Sequence, residues 1–289
     1  MTHVARVGET IDILGEGPIW DAHEQAFYWV DIRSRLVRRR DWRTRAQHDW
    51  TLPEMVGSLA VREGGGLILA LESSISLFDT ITGKLEQIAA PEAGEADRRF
   101  NDGKCDRQGR FWAGTMDDKS RTPCGTLYRV DPQRGCVAQV SGIKTPNSLC
   151  WSPDGTTMYF SDSRTHIINA YAYDPETGDM GSPREFHRVE PPWIPDGATV
   201  DAEGFVWCAY YGGARVVRIA PDGRIVRTIE LPVTQPTSVQ FVGPDLDLLY
   251  ITTARQRLTP EQLEKQPLAG ALFAVEPGVK GIAEARYRG

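Results

Sequence analysis

The chain has 289 residues, with 33 Lys plus Arg against 39 Asp plus Glu and a formal net charge of −6. That balance argues against a nucleic-acid partner, and no apolar run approaches the roughly 20 residues that span a bilayer. The five cysteines are an odd number without CxxC spacing, which reads as reduced, buried thiols rather than a disulfide framework. No basic stretch followed by an apolar run opens the chain. The expectation is a soluble, cytoplasmic, monomeric protein with no membrane partner.

In chain order, residues Val4 to Leu14 alternate weakly and read as a strand without a sheet of its own. A sentence then begins at Glu16-Gly17-Pro18-Ile19-Trp20: an opening residue, a short apolar strand, a turn and a second apolar strand. It recurs from Val56, Asn101, Asn147, Asp196 and Thr237. The six copies lie about 40 to 49 residues apart, the period of propeller blades. The predicted fold is therefore all-β: one domain, residues 1–289, forming a six-bladed β-propeller of four-stranded blades. The last repeat runs out of chain after Ala271–Val275, so the N-terminal strand is expected to complete it and remove the exposed edge.

Between the repeats, Arg33 to Arg43 is the only basic run and reads as the solvated outer strand of blade one. Residues Pro91 to Arg98 form a polar crossing segment, and Met116 to Pro123 a loop of blade three. Thr259 followed by Pro260 marks the N-cap and first position of a short helix in a blade-six loop.

Propeller geometry brings the openings of the innermost strands to one axis. Four of the six openings, Glu16, Asn101, Asn147 and Asp196, carry carboxylate or carboxamide oxygens. Converging oxygen donors suit a hard divalent cation. Asn101 is either a fourth ligand or a substrate-facing donor. Taken singly, each Asx residue also suits a turn, but Glu16 does not. No GxSxG elbow is present and the five histidines lie outside the openings, so Ser-His or Cys-His catalysis is not expected. Asp21, Asp106 and Asp201, five residues after their openings, read as turn formers. Arg99 pairs either with a ligand or with Asp102, and Lys104 is expected to turn toward a neighbouring blade.

These residues resemble the regucalcin/gluconolactonase (senescence marker protein) family, six-bladed propellers that hydrolyse sugar lactones. The resemblance rests on Glu16-Gly17-Pro18-Ile19-Trp20, on Arg99 to Lys104 (R-F-N-D-G-K), on Ala113 to Met116, on Asn147 to Ser152, on Pro195 to Gly204 and on Gly278 to Ala283. It implies metal ligands at Glu16, Asn147 and Asp196, Asp196 as general base, and substrate contacts at Arg99 and Asn101. Family members often place a glutamate after the G-T-M loop to bind sugar hydroxyls. Here Asp117-Asp118-Lys119 follows; Asp117 or Asp118 could reach in, with Asp118 the candidate substrate contact. The implied activity is hydrolysis of an aldonolactone of the gluconolactone or xylonolactone type, with one divalent cation (Ca2+, Zn2+, Mn2+, Mg2+ or Fe2+) as cofactor. The alternatives are a calcium-binding regulator without catalysis and a propeller phosphotriesterase.

Overall fold

A computed structural model describes residues 3–289. Six antiparallel sheets of four strands form a ring, a six-bladed β-propeller. The innermost strands are Gly15–Asp21, Val56–Val61, Arg98–Cys105, Pro146–Trp151, Ile194–Val200 and Pro236–Val242. Blade six is completed by Val4–Ile11, which pairs with Ala271–Val275 as its fourth strand. The first and last segments of the chain thus clasp, and the ring has no open seam.

The inner strands pack on both faces and are apolar accordingly, as at Val56–Val61, buried throughout. Outer strands such as Gln47–Thr51 carry polar, mostly exposed side chains. Trp29, Trp112 and Trp207 are fully buried on second strands. Between blades three and four, Trp112, Trp151 and Tyr173 meet edge to face or tilted, with ring centroids 5.9–6.1 Å apart. Where blades converge, bulk is excluded. A Cβ on Gly57 would lie 2.4 Å from the Phe100 carbonyl oxygen of the next blade.

Asp21, Asp106 and Asp201 close hairpin turns, as read from the sequence. Asp106 Oδ1, for example, accepts from the Gln108 and Arg110 N–H groups. The predicted helix is Pro260–Lys265, with a Thr259/Gln262 capping box.

Two expectations require correction. The basic run is not the outer strand of blade one. Leu36–Asp41 is its third strand and pairs with Gln47–Thr51 outside it. Gln47–Thr51 escaped notice because a strand exposed on both faces lacks apolar alternation. The arginines are also not simply solvated: Arg38 is buried between Asp12 (2.8 Å) and Asp49. Lys104, for its part, reaches past the neighbouring blade. Its Nζ donates to the Ala198 carbonyl of blade five and pairs with Glu284. Glu284 belongs to a C-terminal tail that crosses the ring. Tyr287 N–H donates to Val61 of blade two, Arg288 N–H to Gly109 of blade three, and Gly281 N–H to Leu246 of blade six. Gly278 to Ala283 lies in this tail.

Candidate active site

Each inner strand slips register just after its opening, between Glu16/Ile19, Val56/Ser58, Phe100/Gly103, Asn147/Cys150, Pro195/Ala198 and Pro236/Ser238. A bulge breaks the pairing and re-aims the side chains beside it. Six bulges at one repeat position explain how openings of unlike sequence serve one centre. Gly17 (φ 55°) and Ser148 (φ 61°) take left-handed backbone at their bulges.

Carbonyls freed from the ladder are taken up by side chains of neighbouring blades. Asn101 Nδ2 donates to Pro146 O at 2.9 Å, Ser148 Oγ to Asp196 O at 2.6 Å, Ser163 Oγ to Pro195 O at 2.7 Å and Thr237 Oγ1 to Gly15 O at 2.5 Å. The backbone at the openings is satisfied as a ring-wide network.

Glu16, Arg99, Asn101, Asn147 and Asp196 line one small cavity of about 60 Å³, together with Tyr211, Arg121, Arg164 and Arg257. Asn147 is oriented from both ends. Its Nδ2 donates to Ser163 Oγ at 2.8 Å, and its Oδ1 accepts from Asn101 Nδ2 at 3.1 Å. Glu16 Oε2 accepts only from the Gly17 N–H, at 3.2 Å. Neither Glu16 nor Asp196 has an ion-pair partner among the described residues.

Burial first, then the charge of Asp196 and of Asp102, pushes the Glu16 carboxyl well above its ordinary value. Burial and Asp102 do the same to Asp196. Asp102 itself is raised by burial, with its Oδ2 accepting from Leu149 N–H at 3.0 Å. Asp102 was not among the expected site residues. Strand alternation puts it opposite Asn101; the bulge between Phe100 and Gly103 cancels that rule.

Arg99 does not pair with Asp102. Its Nε donates to Asp118 at 2.8 Å and its Nη1 to Asn101 Oδ1 at 2.8 Å and Phe100 O at 2.9 Å. Asp118 also takes both terminal nitrogens of Arg33, at 2.5 and 2.9 Å. Burial would raise the Asp118 carboxyl, but the Arg33 and Arg99 guanidiniums hold it well below the usual range. Asp118 therefore clamps two arginines. Likewise, both amide hydrogens of Asn101 are donated within the protein, which makes it a brace for Asn147. Arg33, hidden in the basic run, belongs to the mouth of the site, where Gln256 Oε1 accepts from its Nε at 3.3 Å.

The donor set fits a divalent cation: two largely desolvated, mutually repelling carboxylates and one oriented carboxamide oxygen, all hard oxygen donors. Among the described residues, no three His, Cys, Asp or Glu side chains form a ready cage without the carboxamide.

Residues 14–255 match the SMP-30/Gluconolactonase/LRE-like region. The chain belongs to that family. It is 39% identical over 280 residues, 96% of either chain, to the 6-deoxy-6-sulfogluconolactonase of Pseudomonas putida. It is 34% identical over 291 residues to regucalcin of Xenopus laevis, covering 98% of this chain and 97% of that one. A solved structure of a calcium-binding protein, regucalcin, from Agrobacterium tumefaciens superposes with a TM-score of 0.96 at 32% identity, over 99% of this chain and 98% of that one. Among the described residues, no helix is long and apolar enough to cross a membrane.

Proposed function

We propose that the chain is a divalent-metal-dependent sugar lactonase, converting an aldono-1,4- or 1,5-lactone to the aldonic acid. One observation carries the reading: the part-buried Glu16 and the buried Asp196 stand without ion-pair partners beside the braced Asn147, in the lining of one open cavity. The relative in Pseudomonas putida, named for a gluconolactone that bears a sulfonate, supports the reaction class. Glu16, Asn147 and Asp196 would hold the cation. Bound there, it supplies polarisation of the lactone carbonyl and electrostatic support for the tetrahedral oxyanion.

The chain's own groups do the rest. Asp196 accepts a proton from the water that attacks the carbonyl carbon, and a proton returns to the ring oxygen as the carbon–oxygen bond breaks. Arg99 has spent Nε and Nη1 on Asp118, Asn101 and Phe100, which fixes the guanidinium and leaves Nη2 for substrate hydroxyls. Asn101 and Asp118 act on the substrate through Asn147 and Arg99. The protein works as a cytoplasmic monomer of one domain.

The test is acid release from gluconolactone and xylonolactone by wild type and by Asp196→Asn. Loss of turnover by at least a hundredfold in a variant that remains folded is expected. Near wild-type turnover would remove Asp196 from the mechanism. The Agrobacterium neighbour's calcium binding favours a second reading, a cation-binding protein without turnover. A single site with one neutral ligand makes a weak buffer, and the same assay separates the two.

A further inference from the structure

The loops joining second and third strands all lie at the end of the propeller where the inner strands open. Three of the six place an arginine in the cavity lining: Arg121 in blade three, Arg164 in blade four and Arg257 in blade six; Arg33 in blade one stands behind them, bonded to Gln256 and Asp118. Blade two offers Glu72-Ser73-Ser74 there, and blade five Gly212-Gly213-Ala214. With Arg99, four guanidiniums line one cavity.

The carboxylate in direct contact with them is Asp118, while Glu16 acts on Arg99, and Asp196 on Arg99 and Arg121, only at longer range. Asp118 is saturated by Arg33 and Arg99 at 2.5 and 2.8 Å, and its contact with Arg121 is a loose 3.7 Å. Arg164 and Arg257 have exposed side chains without an ion pair among the described residues. Arg121 is largely buried, donates one bond to the Met116 sulfur, and keeps its Nε buried with no acceptor. Burial and then the neighbouring Arg99 lower the Arg121 guanidinium to about 10, with Arg257 and Arg164 adding to the effect. Arg121 therefore remains cationic at neutral pH. Arg121 (φ 58°) and Arg257 (φ 62°) also sit on left-handed backbone, a conformation that costs energy for residues with a Cβ.

A neutral sugar lactone gives these cations nothing to neutralise. A planar fork of donors is suited to carboxylate, sulfonate or phosphate oxygens. Resting on the lactonase reading, we propose that Arg121, Arg164 and Arg257 form an anion subsite, and that the substrate is an aldonolactone carrying an oxyanion group at the end remote from its carbonyl. The carbonyl end faces Glu16, Asn147 and Asp196, and the charged end faces the three loops. Sulfonate, phosphate and carboxylate share this chemistry, so the arms of the test separate them.

The experiment measures kcat/KM of the metal-loaded protein on gluconolactone, 6-phosphogluconolactone, 6-deoxy-6-sulfogluconolactone and glucaro-1,4-lactone. Wild type is expected to prefer at least one charged lactone over the neutral one by tenfold or more. Arg164→Gln/Arg257→Gln should remove that preference, mainly through KM on the charged lactones, with a much smaller loss on gluconolactone. Arg121→Gln should act in the same direction. Equal rates on charged and neutral lactones, or an equal loss on both in the variants, would overturn the subsite. Absence of turnover with every lactone would instead overturn the lactonase reading. The subsite is then judged by calorimetric titration with 6-phosphogluconate against gluconate. Tighter binding of the phosphate that is lost in the arginine variants upholds it, and indifference rejects it.

Discussion

Asn101 Nδ2 donates to Asn147 Oδ1 across 3.1 Å, from blade three to blade four. That bond settles which way the Asn147 amide points. Ser163 Oγ gives its proton to Pro195 O, so its lone pair takes the Asn147 Nδ2–H and leaves Oδ1 on the cavity side. Ser163 lies outside the cavity lining, yet it helps set the amide orientation.

Ser163→Ala should therefore weaken cation affinity by about 10–100-fold, the usual cost of losing the group behind a ligand. Calorimetric titration of the metal-stripped variant with Mn2+ and Ca2+ measures this. Unchanged affinity would show that Asn147 needs no support, or does not ligate.

The two unpaired carboxylates should make the metal-free protein sensitive to base. Glu16 and Asp196 are both raised in the folded state, above ordinary values of 4.5 and 3.8. A raised carboxyl contributes stability below its unfolded value and loses it as pH rises through the folded one. Chelator-treated wild type should melt at progressively lower temperature from pH 5 to pH 8. Glu16→Gln removes one titrating group and one repulsion. Its metal-free form should be more stable than wild type at pH 8, with the gap closing toward pH 5. The same variant should be inactive, a trade of function against stability. A gap independent of pH would contradict the electrostatic account.

Glu284 has the opposite sign. It is buried, which opposes ionisation, but Lys104 and Arg107 at 3.3 Å hold its carboxyl below the ordinary 4.5. That stabilisation is present above 4.5 and lost as pH falls below it. Glu284→Ala strands two part-buried cations and should cost about 1–3 kcal/mol at pH 7, less at pH 4, by urea unfolding. Gluconolactone turnover of the folded fraction should be unchanged. An equal cost at both pH values would mean the tail is held by packing, with Gly281 against Phe241 as one such contact.

The blades were legible because their signal is repetition: an opening, an apolar strand and a turn, six times. Glu16, Asn147 and Asp196 were legible for the same reason, since equal repeat positions must share a surface. The bulges were not, because they obey no residue rule. Gly17, Ser148 and Gly197 mark three of them with different residues, and only pairing register reveals them. Asp102 was lost with them. Arg33, Arg121, Arg164 and Arg257 occupy equivalent loops, but those loops differ in length and sequence, so no local pattern aligns them. The tail was illegible because Glu284 meets Lys104 180 residues away.

The central claim is that Glu16, Asn147 and Asp196 hold one divalent cation on which hydrolysis depends. Stripping the protein with chelator, counting metal by mass spectrometry and assaying gluconolactone before and after adding back single cations tests it directly. The account predicts a stripped protein at background rate, with activity returning in proportion to metal up to one ion per chain and no recovery in Glu16→Gln. Full activity in protein verified free of metal would contradict it.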